Sequence, residues 1–319
     1  MAIAILDWKG KPVKTSDFAS GRVRDVQVVE IKRTGAFAVR AHDLGNGHLE
    51  ITASRQQVAT ELDWSASRIL DHMEMVDRHR ELHEDEYRQK CITVAANRAK
   101  TRVRKLCKAM GADTLLTLTY RSNMQDLALC KKHLKEFVRR VTRELPDFGL
   151  VAAFEYQDRG ALHVHAATCR IPKFFHKVAY SKHGVPSLIR TKSYDLLRAI
   201  WRSVTKEHQG NVDVSRRKGG ERSPARIASY IAKYISKGYA EGEKWSNRWT
   251  KFGVSDVPKP LDMGTVDRPL DMVSVAYSLL SSDHEVVGKP IYSHFGDWLY
   301  LAAEKPIKKP AFAGSVTVH

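Results

Sequence analysis

Cysteine is scarce in this chain. Cys91, Cys107, Cys130 and Cys169 are scattered through 319 residues with no CxxC spacing. That scatter excludes a zinc ribbon and a disulfide scaffold, and it fits a reducing compartment. Long apolar runs are missing too. No stretch approaches the roughly 18 consecutive apolar residues of a transmembrane helix, so no membrane partner is expected. Met1–Pro12 lacks the basic-then-apolar layout of a secretory leader, and a cytoplasmic protein is expected. No GxxxxGK[ST] is present, which removes the phosphate-cradling loop of a helicase. Acids are outnumbered, with 36 Asp and Glu against 53 Lys and Arg, for a net charge of +17. An apolar share of 43% excludes a wholly disordered chain. A basic excess of this size favours a polyanionic partner, nucleic acid first.

The excess is concentrated. Residues 111–240 hold 24 Lys or Arg and 11 Asp or Glu, an excess of 13, and the rest of the chain shares an excess of 4. This divides the chain into an N-terminal region of unknown role (1–110), a basic domain (111–240) and a C-terminal region of unknown role (241–319). In the first region, short apolar alternations between Val23 and Arg40 predict one or two strands, and Gly45-Asn46-Gly47 predicts a turn. A helical pattern follows from about Glu61. In it, seven acids between Asp71 and Tyr87 give way to six basic residues between Arg98 and Lys108.

The basic domain reads clearly. Thr114–Tyr120 (TLLTLTY) predicts a strand. Leu127, Cys130, Leu134, Phe137, Val138, Val141 and Leu145 recur at helical spacing, with Lys131, Lys132, Lys135, Arg139, Arg140 and Arg143 on the other face. Leu150–Tyr156 and Ala161–Thr168 predict a hairpin around Gln157–Gly160. Phe174–Lys192 reads as a polar loop. Leu197, Ile200, Trp201 and Val204 mark a second helix, and Asn211–Ser215 a fourth strand. A last helix opens at Ser223-Pro224 and stops at Gly238. The order β-α-β-β-α-β is that of the split βαβ, or ferredoxin-like, fold, an α+β class. Its sheet is antiparallel with helices on one face, and the other face is left for a ligand. Pro-rich residues 241–319 predict loops and short elements.

Three features carry chemistry. His163 and His165 at i and i+2 share one face of a strand and can offer two imidazoles to one metal ion. Glu155 is the lone acid of the neighbouring strand, where an unpaired carboxylate is costly. Two His and one carboxylate would leave positions open on a metal. Tyr230 and Tyr234 stand four apart beside the stripe Ile227, Ile231 and Ile235, each with a lysine (Lys233, Lys237) three residues on. A phenolate is a competent nucleophile, and a nearby ammonium favours it.

Together these resemble the HUH endonucleases, and specifically the two-tyrosine rolling-circle replication initiators of filamentous bacteriophages. TLLTLTY looks like their first motif, GALHVHA like their histidine-hydrophobic-histidine motif, and YIAKYISK like their third. The resemblance covers about residues 111–240 and implies an HUH endonuclease core. It implies a site-specific DNA nickase and strand transferase working through a 5′-phosphotyrosine. Glu155, His163 and His165 would hold Mg2+ or Mn2+. Tyr230 and Tyr234 would attack in alternation, helped by Lys233 and Lys237. Lys131, Lys132, Lys135, Arg139, Arg140, Arg216, Arg217 and Lys218 would bind the strand. Single-stranded or supercoiled origin DNA, a host helicase and a host polymerase would be the partners, in a bacterial cytoplasm. A relaxase or transposase shares this chemistry, although relaxases usually carry their tyrosine ahead of the histidines. A non-catalytic DNA-binding regulator and an iron oxygenase with a facial triad remain as readings of other classes.

Overall fold

A computed structural model of the protein describes residues 2–169, 171–180, 183–184, 186–216, 224–241, 248–293 and 296–305. In chain order the elements begin with β1 (Ala2–Asp7), α1 (Thr15–Ala19), β2 (Val26–Gly45), β3 (His48–Leu62), α2 (Ala66–Leu82) and α3 (Glu84–Ala109). Then come β4 (Thr114–Thr119), α4 (Leu127–Glu144), β5 (Gly149–Tyr156), β6 (Leu162–Cys169), β7 (Phe174–Tyr180) and β8 (Pro186–Lys192). They are followed by α5 (Ser193–Thr205), β9 (Asn211–Arg216), α6 (Pro224–Glu241) and β10 (Trp249–Phe252). The last are β11 (Leu261–Val266), α7 (Pro269–Ser278), β12 (Glu285–Val286), β13 (Ile291–Tyr292) and β14 (Trp298–Glu304).

The chain divides into two compact units. One takes in Met1–Asp43, Gly47–Cys91 and Pro258–Pro306. Its sheet runs β1-β2-β3-β14-β12, with β11 beside β2 and β13 beside β14. The β2–β3 turn is Gly45-Asn46-Gly47, all three at positive φ (73°, 51° and 77°), which explains two glycines and an asparagine there. Residues distant in sequence share this sheet, because β14 pairs antiparallel with β3, from Trp298↔Ser54 to Glu304↔His48. Phe37, Ile51, Leu301 and Met272 fill one core, and Ile5, Val28, Ile69 and Met73 fill another.

The other unit includes Leu44–Asn46 and Ile92–Val257. Its five-stranded sheet runs β10-β5-β6-β4-β9, and every pairing is antiparallel. Without β10 this is the strand order of the split βαβ, and the unit is α+β as the sequence implies. Alternation fixes two faces. Leu116, Leu118, Leu150, Ala152, Phe154 and Val164 point to α4 and α5, which bring Leu134, Phe137, Leu197 and Trp201. Trp201 is fully buried, and its Nε1–H donates to Thr119 O at 2.9 Å. Val151, Ala153 and Ala167 point the other way, to Ile227, Ile231 and Ile235 of α6 and to Val103 and Leu106 of α3.

The face opposite α4 and α5 is therefore covered along much of its length, not left bare for a ligand. Two element boundaries also differ from expectation. Phe174–Lys192 is not a loop but the hairpin β7–β8, paired from Phe174↔Lys192 to Tyr180↔Pro186. Gly184 at φ 75° lies in its connection, and Pro186 takes the first position of a strand, where its missing N–H is harmless. Gly238 does not end α6, which continues to Glu241. Glycine weakens a helix by about 1 kcal/mol, which a packed helix tolerates.

Candidate active site

The β5–β6 register sets Glu155 opposite His163 and Ala153 opposite His165. On β4, Thr117 pairs with His165. Glu155, His163, His165 and Thr117 thus occupy the α6 face, just beyond its apolar rows. His165 is buried. Its Nε2 lies 2.8 Å from Glu155 Oε2 and its Nδ1 lies 3.4 Å from Thr117 Oγ1. The tautomer protonated on Nε2 satisfies both contacts, donating to the carboxylate and accepting from the hydroxyl. Burial pushes the His165 imidazole down from its ordinary value, against the opposing pull of Glu155. Burial first, and then the neighbouring His165, push His163 down to about 4. Both rings are neutral at physiological pH.

The α6 helix brings the tyrosines onto this cluster. Ile227, Ala228, Ile231 and Ile235 anchor one side of it. Tyr230 and Tyr234, one turn apart, project at the edge of that stripe. The Tyr234 ring stacks on His165, with centroids 3.9 Å apart and planes 12° apart. Tyr230 meets the same imidazole edge-on at 6.1 Å. Tyr234 Oη donates to Tyr230 Oη at 2.8 Å. The spacing suggests twin environments, each tyrosine with its own lysine, but the surroundings are unequal. Tyr230 is 40% exposed, whereas Tyr234 is partly buried. Burial, reinforced by the hydrogen bond it donates, pushes the Tyr234 phenol up.

The other predicted residues fall in several places. Lys233 is exposed on α6. Lys237 is on the same helix, but its side chain is outside the described residues, as is that of Arg216 at the end of β9. Arg217 and Lys218 lie outside the described residues. Lys131, Lys132, Lys135, Arg139 and Arg140 belong to α4, so the sheet separates them from the tyrosines. Two of these cations are engaged already: Arg139 and Arg140 both reach Glu136 at 2.6 Å and hold its carboxyl down to about 2. Thr117 is the site residue that motif reading passes over. Its signal is its place on the same face of TLLTLTY as the histidines.

Among the described residues, no group of three or more His, Cys, Asp or Glu is gathered closely enough to hold a metal ion. Glu155 closes on His165, and the His163 and His165 centroids stand 6.2 Å apart. The donor chemistry nevertheless suits a divalent cation, with two neutral imidazoles and one carboxylate on adjacent strands.

The sequence profile of the family described as replication-associated protein, of the ORF2 and gene 2 protein type, matches residues 113–239, less than half of the chain. The matched stretch contains β4 through α6 nearly entire, and with them the whole Glu–His–Tyr cluster. The similarity supports a role in phage DNA replication initiation. Among curated proteins and among solved structures nothing matches. No helix among the described residues is long and apolar enough to cross a membrane.

Proposed function

We propose that the chain is a DNA-nicking and strand-transferring enzyme that starts and ends rolling-circle replication. One observation carries the reading: two phenols in mutual hydrogen bond stand on the imidazole of a His-x-His strand paired with a carboxylate. Tyr230 is the first nucleophile, since its oxygen is exposed and accepts a hydrogen bond from Tyr234. A hydrogen bond donated to an oxygen favours its anionic form. Tyr230 Oη bonds to the scissile phosphorus and its proton passes to water. The P–O3′ bond breaks, and the leaving 3′ oxygen takes up a proton. The products are a 5′-phosphotyrosine and a free 3′-hydroxyl.

Tyr234 is the second nucleophile. It is held in reserve by its stacking on His165 and becomes useful once Tyr230 is esterified. Lys233 and Lys237 contact phosphate or favour phenolate. Glu155, His163 and His165 are the residues that would hold Mg2+ or Mn2+, which would supply Lewis-acid neutralisation of charge on the phosphate. Thr117 steadies the His165 ring through its hydroxyl contact.

The test is incubation of the protein with single-stranded circular DNA and Mn2+, followed by mapping of the protein–DNA adduct. An adduct at Tyr230 supports the reading. DNA binding without nicking, with or without metal, would favour a regulator instead.

A further inference from the structure

The α4 and α5 helices flank a cleft of about 670 Å³ on the face of the sheet away from Tyr230 and Tyr234. Its floor is apolar, with Leu129, Val138 and Phe252, and its rim carries Lys132, Lys135 and Lys206. A second cleft of about 580 Å³ opens at the end of α5. Lys206 lines this one too, with Arg121, Arg202, Gln209 and Asn211, and no acid is among its described lining residues.

The segment that presents Lys206 is built at a cost. Lys206 has φ 45° and ψ −113°, a conformation suited to glycine, and Gln209 is also left-handed at φ 46°. Strain of this kind persists only where the surroundings impose it. Here Gly210 N–H donates to Thr205 Oγ1 at 2.9 Å, and Arg121 Nη1 donates to Gln209 Oε1 at 2.9 Å. Gly210 cannot carry a side chain, because a Cβ would lie 2.3 Å from Trp201 Nε1. The result is an ammonium at the junction of two clefts. The large rings at this end, Tyr120, Phe137 and Trp201, are fully buried, so they offer no platform on which a base could stack. A single strand is gripped largely through such stacking. A duplex hides its bases and presents phosphates.

We propose that Arg121, Arg202 and Lys206 form an accessory site for the phosphodiester backbone of duplex DNA, on the opposite side of the sheet from the tyrosines. The choice of DNA among polyanions rests on the nicking reading above. Such a site would hold duplex flanking the nick while the cut strand lies on the α6 face. The test uses the full chain with two probes of equal length and unrelated sequence, one duplex and one single-stranded. Lys206→Gly removes the charge from a backbone that suits glycine, so the melting temperature is expected to stay level or rise. Its duplex affinity is expected to fall, and the salt slope of log affinity to drop by about 1. Lys206→Gln should show the same loss, and Arg202→Gln combined with Lys206→Gly a larger one. Single-strand affinity should hold.

Wild-type duplex affinity in Lys206→Gly overturns the proposal, as does an equal loss on both probes. A loss confined to Lys206→Gly and absent in Lys206→Gln also overturns it, since the backbone and not the charge would then be responsible. If the protein nicks no DNA but these variants still lose duplex binding selectively, the site stands and the nicking reading falls.

Discussion

The two faces of the five-stranded sheet follow different rules. On the α4–α5 side the rows are apolar from end to end, and Trp201, Phe137 and Phe154 are fully buried. On the α6 side the same strands begin apolar, with Val151, Ala153 and Ala167, and turn polar at Glu155, His163 and His165. One face is built for stability and the other stops short of it. The polar end carries costs that an apolar replacement would remove, namely neutral imidazoles held away from their protonated form and a carboxylate that needs a partner. A protein that retains these groups uses them for something other than folding.

The sharpest way to break this comparison is to truncate one residue on each face. Trp201→Ala leaves a cavity beneath Tyr120 and Phe137 and orphans Thr119 O, so it should cost about 3–5 kcal/mol of stability in a denaturant titration. Should Trp201→Ala cost less than about 1 kcal/mol, the α4–α5 face is not the stabilising one. His165→Ala should lower nicking by about 100-fold or more while costing less stability than Trp201→Ala. The loss that remains comes from leaving Glu155 without the imidazole, about 1–3 kcal/mol. Wild-type nicking in His165→Ala would mean that the polar end has no catalytic purpose.

The contrast also explains what could be read from sequence. The α4–α5 face was legible because periodicity alone specifies it: Leu134, Phe137, Val138 and Val141 on α4 lie where helical spacing places them. The hairpin was legible because Gln157–Gly160 is a turn by composition, and hairpin register then pairs Glu155 with His163. Periodicity could not reveal the stacking of Tyr234 on His165 or the direction of the Tyr234–Tyr230 hydrogen bond. Both depend on how α6 is set against β5 and β6, a contact between residues some 70 positions apart in numbering. It also could not reveal β7–β8, whose mixture of Lys, His and Ser hides its alternation, nor the joining of β14 to β3. Long-range strand pairing leaves no local mark in either partner.

The tyrosines sharpen the comparison within the polar end. Tyr230→Phe removes the exposed oxygen and should lower first-cleavage adduct by at least about tenfold, equal to about 1.4 kcal/mol of barrier. Tyr234→Phe keeps that oxygen and loses only the hydrogen bond donated to it, so first cleavage should fall less. Its larger defect should appear in strand closure, where the second phenol is required. Adduct yields measured on the first cut and on rejoining separate the two roles. Equal loss of first-cut adduct in both variants would mean that the unequal burial of the rings has no bearing on the order of attack.

The smallest expected effect is a pH dependence of stability that belongs to the polar end alone. In the unfolded chain an imidazole takes up its proton as pH falls through about 6.5. In the folded chain burial and the neighbouring His165 keep His163 neutral down to about 4, despite the opposing pull of Glu155. His165 is shifted in the same direction by burial. Between these values the unfolded chain binds more protons than the folded one. The histidine contribution to stability is therefore complete above about pH 6.5 and is lost progressively as pH falls toward 4. Carboxylates elsewhere, such as Glu136, whose carboxyl is held down to about 2 by Arg139 and Arg140, lose stability at still lower pH and would blur a single curve. The difference between two curves removes them. Melting temperatures of the wild type and of His163→Gln, both in chelator, should converge as pH falls from 6.5 to 4.5, because glutamine has no proton to gain. A constant gap across that range would mean that His163 titrates alike in the folded and unfolded chains, and that the polar end does not hold its imidazole neutral.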